Sequence, residues 1–134
     1  MAKESGLGMT LSVDDSAGVA RALGNDFTNV TFGTPRGVQD VTGINNSAYE
    51  RILLLADFSV TINGVFNDAV NLSHDVFKTV PSTSVARTVT IAHSGQTLPN
   101  EALFTDYALT RPETGELTYS APGVLSDGTV PTWA

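Results

Sequence analysis

The chain has 134 residues, enough for one domain with its own core, and only 16% of them are charged against about 25% in a typical soluble domain. It contains no cysteine, which excludes a disulfide scaffold, thiol catalysis and thiolate metal sites. Fourteen acids outnumber seven singly scattered bases for a net charge of −7, so the clustered cations that tight nucleic-acid binding requires are missing.

Residues 1–9 lack the continuous apolar stretch of a secretory signal, so synthesis in the cytoplasm is expected. No apolar run approaches the ~20 residues of a membrane span. Residues 8–13 and 27–32 read as short strands. Residues 34–46, with Pro35, Gly37 and Gly43, fit neither strand nor helix, and a loop of that length is usually functional or disordered. Ser47 and Glu50 have capping-box spacing, enough for one helical turn.

The clearest periodicity runs through residues 52–62. Ile52, Leu54, Ala56, Phe58, Val60 and Ile62 fall on one face, with Asp57, Ser59, Thr61 and Asn63 following Leu53 and Leu55 on the other, which predicts one long strand with a buried face. Its polar face carries short side chains suited to solvent or to a channel. A helix is expected within residues 70–79, capped by Asn71 or Ser73 and stopped by Pro81, with Val70, Phe77 and Val80 covering an open end of the sheet. Residues 85–92 form a β-branched strand. Residues 101–110 and 116–121 form a hairpin around Pro112-Glu-Thr-Gly115, with Leu103, Thr105, Tyr107 and Leu109 on one face and Leu117 and Tyr119 returning. Residues 122–134 read as an irregular tail. Strands at this spacing indicate a sandwich or barrel in a single domain spanning 1–134.

Little here looks catalytic. His74 beside Asp75 reads as solvated surface and His93 beside Ser94-Gly95 as turn chemistry; no Gly-x-Ser-x-Gly elbow is present. Asp14-Asp15 lacks the spacing of a calcium loop and reads as turn acids. Neither Gly6-Leu-Gly8 nor Gly33-Thr-Pro-Arg-Gly37 has the ending of a phosphate loop. No enzyme activity, cofactor or metal is expected. Ser, Thr, Asn and Gly stand in for the missing charge, and neutral polar faces lose little charge solvation when they meet. That composition suits a subunit that associates with copies of itself, and equally an ordinary secreted β domain.

Several stretches taken together carry a resemblance: Gly24-Asn-Asp-Phe-Thr-Asn-Val30, Thr34-Pro-Arg-Gly-Val-Gln-Asp-Val-Thr42, Leu53-Leu-Leu-Ala-Asp-Phe-Ser59 with Gly64-Val-Phe-Asn-Asp68, Ser73-His-Asp-Val-Phe77, and Leu103-Phe-Thr-Asp-Tyr-Ala-Leu-Thr110 leading to Asp127-Gly-Thr-Val-Pro-Thr-Trp133. In this order they resemble the major tail proteins, or tail tube subunits, of long non-contractile-tailed bacteriophages (siphophages), especially those of actinobacteria. The resemblance implies a mainly β fold, a sandwich or half-barrel with one flanking short α-helix, a long loop (34–46) and terminal arms (1–9 and 122–134). It implies a structural virion protein whose six copies form a ring, whose rings stack into a tube, and whose lumen passes DNA without specific binding. Tape-measure protein, tail terminator and distal tail protein are the implied partners, and the virion tail the implied location.

On that reading Asp57, Ser59, Thr61 and Asn63 face the lumen or a sheet edge between subunits. Thr34, Pro35, Arg36, Gly37, Val38 and Gln39 of the long loop are expected at ring-to-ring contacts, and Leu7, Met9 and Trp133 at contacts made by the termini. Two other readings stay open: a tail terminator or head–tail joining ring protein, and a soluble β-sandwich module that binds carbohydrate or peptide.

Overall fold

Alternation of apolar and polar residues builds most of this chain into one antiparallel sheet. The computed structural model describes residues 3–24 and 26–134; Met1 and Ala2 of the expected N-terminal arm, and Asn25, lie outside the described residues. In chain order the strands are β1 (Thr10–Asp14), β2 (Ala20–Ala22), β3 (Phe27–Gly33), β4 (Arg36–Asp40), β5 (Arg51–Ala56), β6 (Ser59–Val65), β7 (Arg87–His93), β8 (Gln96–Phe104), β9 (Ala108–Thr110) and β10 (Thr118–Leu125), with one helix, α1 (Ser73–Phe77), and a 3-10 turn at Val80–Ser82. The main sheet runs β2-β1-β7-β8-β10-β6-β3, with β9 added on β10, while β4 and β5 form a ribbon of their own.

Strands β8 and β10 meet over only three residue pairs, 102–104 against 123–125. On either side of that joint the sheet halves send buried residues into one cluster: Leu11, Val13, Val89, Ile91 and Leu98 from one, Val60, Ile62, Tyr119 and Ala121 from the other. A single cluster reached from both halves requires the sheet to curl over it as a half-barrel. Helix α1 adds Val76 and Phe77, and Phe77 packs edge-on against Phe104 with centroids 5.2 Å apart.

The helix is too short to be stable alone, and two buried side chains hold its ends. Asp26, ahead of β3, accepts hydrogen bonds from the Ser73 amide and from Asn67 Nδ2, each at 2.9 Å. The Arg87 guanidinium, at the start of β7, donates to Val76 O (2.6 Å), Thr79 Oγ1 (2.8 Å) and Asp14 O (3.2 Å). The helix therefore takes its cap from Asp26, 47 residues away, and not from Asn71 or Ser73: Leu72 holds the N-cap position with no side-chain cap. Asn71 instead takes a left-handed φ of 67° and donates its amide to Asp75. Val80 packs against the core as expected, but Val70 is exposed.

Several sequence expectations need correction. The strand over 52–62 is two strands, because the core ends at Phe58 and the chain leaves the main sheet beyond it. Ile52 and Leu54 are consequently exposed, while Phe58, Val60 and Ile62 are buried. The loop 34–46 contains strand β4, which pairs with β5 (Val38 with Leu53, Gln39 with Ile52). Ser47–Glu50 form no helical turn; the Glu50 amide donates to Thr42 Oγ1 across the tip of the hairpin. The expected strand 101–110 breaks at Thr105–Tyr107, and Leu103 faces outward while Ala102 is buried. The turn at Pro112–Gly115 is present, closed by Gly115 N to Pro112 O, and Tyr119 is buried on the returning strand.

The C-terminal tail is shorter than expected, because β10 continues through Pro122 to Leu125. Pro122 is accommodated where β10's neighbour changes from β9 to β8, so its missing N–H points at the break between them. The remaining tail lies along the outer edge of β8. Ala134 exchanges two backbone hydrogen bonds with Thr97 (2.8 and 2.9 Å), and the Ser126 amide donates to Glu101 O. Pro99, between them, turns its donor-less nitrogen to the same edge.

Two substitutions test this framework. An ideal Cβ on Gly64 would lie 2.1 Å from Asp26 O and 2.8 Å from the Tyr119 ring, and the backbone contact cannot be relieved by a rotamer. Gly64→Ala is expected to lose about 3 kcal/mol or more in chemical denaturation, while Gly33→Ala, which meets nothing within 4 Å, stays close to wild type. Arg87→Met keeps an unbranched apolar stem but removes the guanidinium and orphans Val76 O, Thr79 Oγ1 and Asp14 O. It is expected to cost about 3 kcal/mol in the same measurement.

Candidate functional site

The histidines and carboxylates do not converge. Among the described residues no group of three or more His, Asp or Glu could hold a metal ion. His74 is not on a solvated face: its ring lies 4.7 Å from Phe66 by centroids, and its Nδ1 is 3.2 Å from Tyr107 Oη. Burial pushes the Tyr107 and Tyr119 phenols up, away from the phenolate form. His93 lines a different hollow, 4.0 Å from Glu4. Asp15 acts as a turn acid, accepting from the Ala17 and Val19 amides and from Arg21 Nε. Those bonds, that of Val19 foremost, hold its carboxyl below the usual range.

What the fold does present is surface of an unusual kind. On the outward side of β9, β10, β6 and β3, cross-strand pairing lines up Ala108, Ser120, Asn63 and Asn29 in one row and Pro122, Thr61 and Thr31 in the next. Ser59, Thr61 and Asn63 thus share one face as the alternation predicted, and the rows contain no charged residue. Asp57 stands apart from them, in the hinge between β5 and β6, where its carboxylate accepts from the Phe58 amide and its own amide donates to Pro35 O. Asn29, Thr31 and Ser120 also lie in strands the spacing predicts, but that β3 and β10 flank β6 and continue its polar face depends on pairing between distant segments.

The ends of this four-strand unit are free edges. Strand β9 is antiparallel to β10, β10 to β6, and β6 to β3, so β9 and β3 run antiparallel to each other. Strand β3 carries neither proline nor charge, two of the devices by which edge strands avoid pairing with other chains.

The β4–β5 ribbon is the second surface. Val38, Leu53 and Leu55 lie on one of its faces and Ile52 and Leu54 on the other, and all five are exposed, Leu55 at 90%. Arg36 folds back so that its Nε and Nη2 donate to Leu54 O. Thr34, Arg36 and Gly37, with Leu53 to Ala56 and with Val130 and Pro131 of the tail, surround a cleft of about 930 Å³ at the ribbon's base. Gln39 pairs opposite Ile52 further out. Thr34 to Gln39, expected at ring-to-ring contacts, thus lie along β4 and at the cleft, and the exposed leucines beside them come from β5, where the alternation put Leu54 on a buried face and Leu53 and Leu55 opposite it.

The termini meet each other. Met9 and Trp133 line one hollow of about 560 Å³ with Glu4, His93 and Gln96. Trp133 leans on Phe32, centroids 6.2 Å apart, and stays half exposed. Leu7 projects into solvent, 87% exposed.

No protein-family model matches the sequence, and no curated protein matches it either. Solved structures do match. A chain of the virion of a native gene transfer agent particle aligns over 97% of this chain and 99% of its own, with a TM-score of 0.77 at 14% identity. A chain of the tail of an empty gene transfer agent particle, solved with C6 symmetry, aligns over 98% of each with a TM-score of 0.72 at 15% identity. A chain of the phage p2 baseplate gives a TM-score of 0.50 at 11% identity, over 92% of this chain and 45% of its own. The protein has the β-rich fold found in these gene transfer agent virion and tail particles.

Proposed function

We propose that this protein is a structural virion protein whose copies form hexameric rings that stack into a tail tube. The observation that carries the reading is the end-to-end match to a chain in a tail of C6 symmetry. The free edges support it independently. A copy rotated about an axis along the strands would bring its β9 antiparallel to the β3 of its neighbour, the arrangement a continuous sheet needs. In this reading the rows of Asn29, Thr31, Thr61, Asn63 and Ser120 line the lumen. A wall with no cation offers phosphates no counter-ions to displace, so DNA passes without sticking. The β4–β5 arm, Leu7 and the tail then meet other copies, and tape-measure, terminator and distal tail proteins meet the tube's ends.

Negative-stain electron microscopy with sedimentation of the purified chain tests this. Rings and hollow tubes are expected; single rings that never stack would favour a terminator, and a monomer at every concentration would sink the proposal. Thr31→Lys, on the exposed edge strand, is expected to leave the monomer's melting within about 0.5 kcal/mol of wild type. It should raise the concentration needed for ring formation about tenfold or more.

A further inference from the structure

We infer that the tip of the β4–β5 arm of one copy docks in the cleft at the base of the same arm on a second copy. The inference rests on the assembly reading above and deepens it by naming the surface that receives the arm.

A two-stranded ribbon has no interior, and this one carries apolar side chains on both faces. Its tip exposes two large side chains among polar ones: Ile44 fully and Tyr49 at 73%. The cleft at its base is walled by Leu54, Ala56, Val130 and Pro131 and is open to solvent. Tip and cleft therefore offer a knob and a hole of matching chemistry. They cannot meet within one chain, because the paired strands between them hold them about 20 Å apart, at roughly 3.3 Å per residue. A second copy satisfies both at once.

Charge adds to the pairing. Asp40 and Glu50 flank the tip with Arg51, which pairs opposite Asp40 and lies over the Tyr49 ring, leaving one net negative charge there, and Arg36 stands at the cleft. Arg36 spends Nε and Nη2 on Leu54 O, which leaves guanidinium donors for an incoming carboxylate. When each tip docks in the cleft of the next copy and not back in return, the contact is heterologous, and each docked copy presents a fresh cleft and a fresh tip. That is the arrangement stacked rings need; a reciprocal exchange of arms would close on a pair and give crosslinked dimers in place of a ladder.

The absence of cysteine makes the test clean. Ile44→Cys and Val130→Cys are placed in one chain, assembly is followed by electron microscopy, and the product is oxidised and run without reductant. A ladder of crosslinked copies, lost in either single variant, is the expected result. Assembled particles that yield no ladder overturn the docking while leaving the assembly reading intact. A wild-type chain that stays monomeric under all conditions overturns both. As a second measurement, Ile44→Ser changes a fully exposed residue and should leave monomer melting unchanged. It should raise the concentration required for stacking about tenfold or more; an unchanged requirement counts against the docking.

Discussion

A five-residue helix cannot hold itself together, and how α1 is held determines much of this fold. Its first amide is bound by Asp26 and its last turn by Arg87, two buried side chains at opposite sides of the curled sheet. Asp26 stands ahead of the edge strand β3, and its carbonyl also accepts from the Val65 amide in β6. Arg87 begins β7 and reaches Asp14 at the end of β1. The helix thus bridges the two halves of the half-barrel by hydrogen bonds to charged groups, which are stronger than neutral ones and costly to leave unmade once buried. Phe77 fills the space between them, against Phe104, Tyr107 and Tyr119.

Closing the half-barrel this way also fixes what is left outside. The core reaches Phe58 and stops, so the apolar alternation that continues backwards through Leu54 and Ile52 has nothing of its own to cover it. The ribbon that results is held to the body by its hinge, where Asp57 N bonds Pro35 O, and by nothing comparable to a core. The tail takes the opposite course. It lies back along β8 and covers that edge, leaving β3 as the long uncovered one. One edge is blocked by the chain's own terminus and another is left open, an asymmetry that directs where a further strand can add.

Much of the β framework was legible from residue spacing. The Val60–Ile62 alternation, the β-branched run of β7 and the hairpin around Pro112–Gly115 are local signals, and local geometry decides them. What escaped depends on the extent of the core. Ile52 and Leu54 continue the pattern of Phe58 and Val60 without interruption, and only the position of the sheet edge tells which residues have a partner. Strand β4 was hidden by Pro35 and Gly37, which read as loop residues. Gly37 is in fact small because Leu54 lies over it, 3.2 Å from where a Cβ would be. Pro122 hid the second half of β10 for a similar reason: a proline argues against a central strand unless the neighbouring strand happens to break at that residue. The cap on α1 was out of reach for a local reading, since Asp26 is far away in sequence. Leu53, Leu54 and Leu55 read as part of one long strand of the main sheet, so the exposed apolar ribbon they form with β4 was not legible from spacing.

The distribution of charge gives the low charge content its meaning. Strands β3, β6, β9 and β10 contain no Asp, Glu, Lys or Arg. Acids lie instead in turns, at the arm tip and around the helix, among them Asp15, Asp40, Glu50, Asp75, Glu113, Glu116 and Asp127, while Asp14 and Glu101 sit in β1 and β8. Burying a charged surface between copies would cost several kcal/mol per unpaired ion, whereas rows of Thr, Ser and Asn lose far less. The net charge of −7 still acts between free copies, but only over a Debye length of about 8 Å at physiological ionic strength. Copies that approach at random therefore repel, while copies that meet edge to edge bury no charge at all. The same partition that keeps the free chain dispersed makes one orientation of approach inexpensive, and that orientation is the one in which β3 finds an antiparallel neighbour.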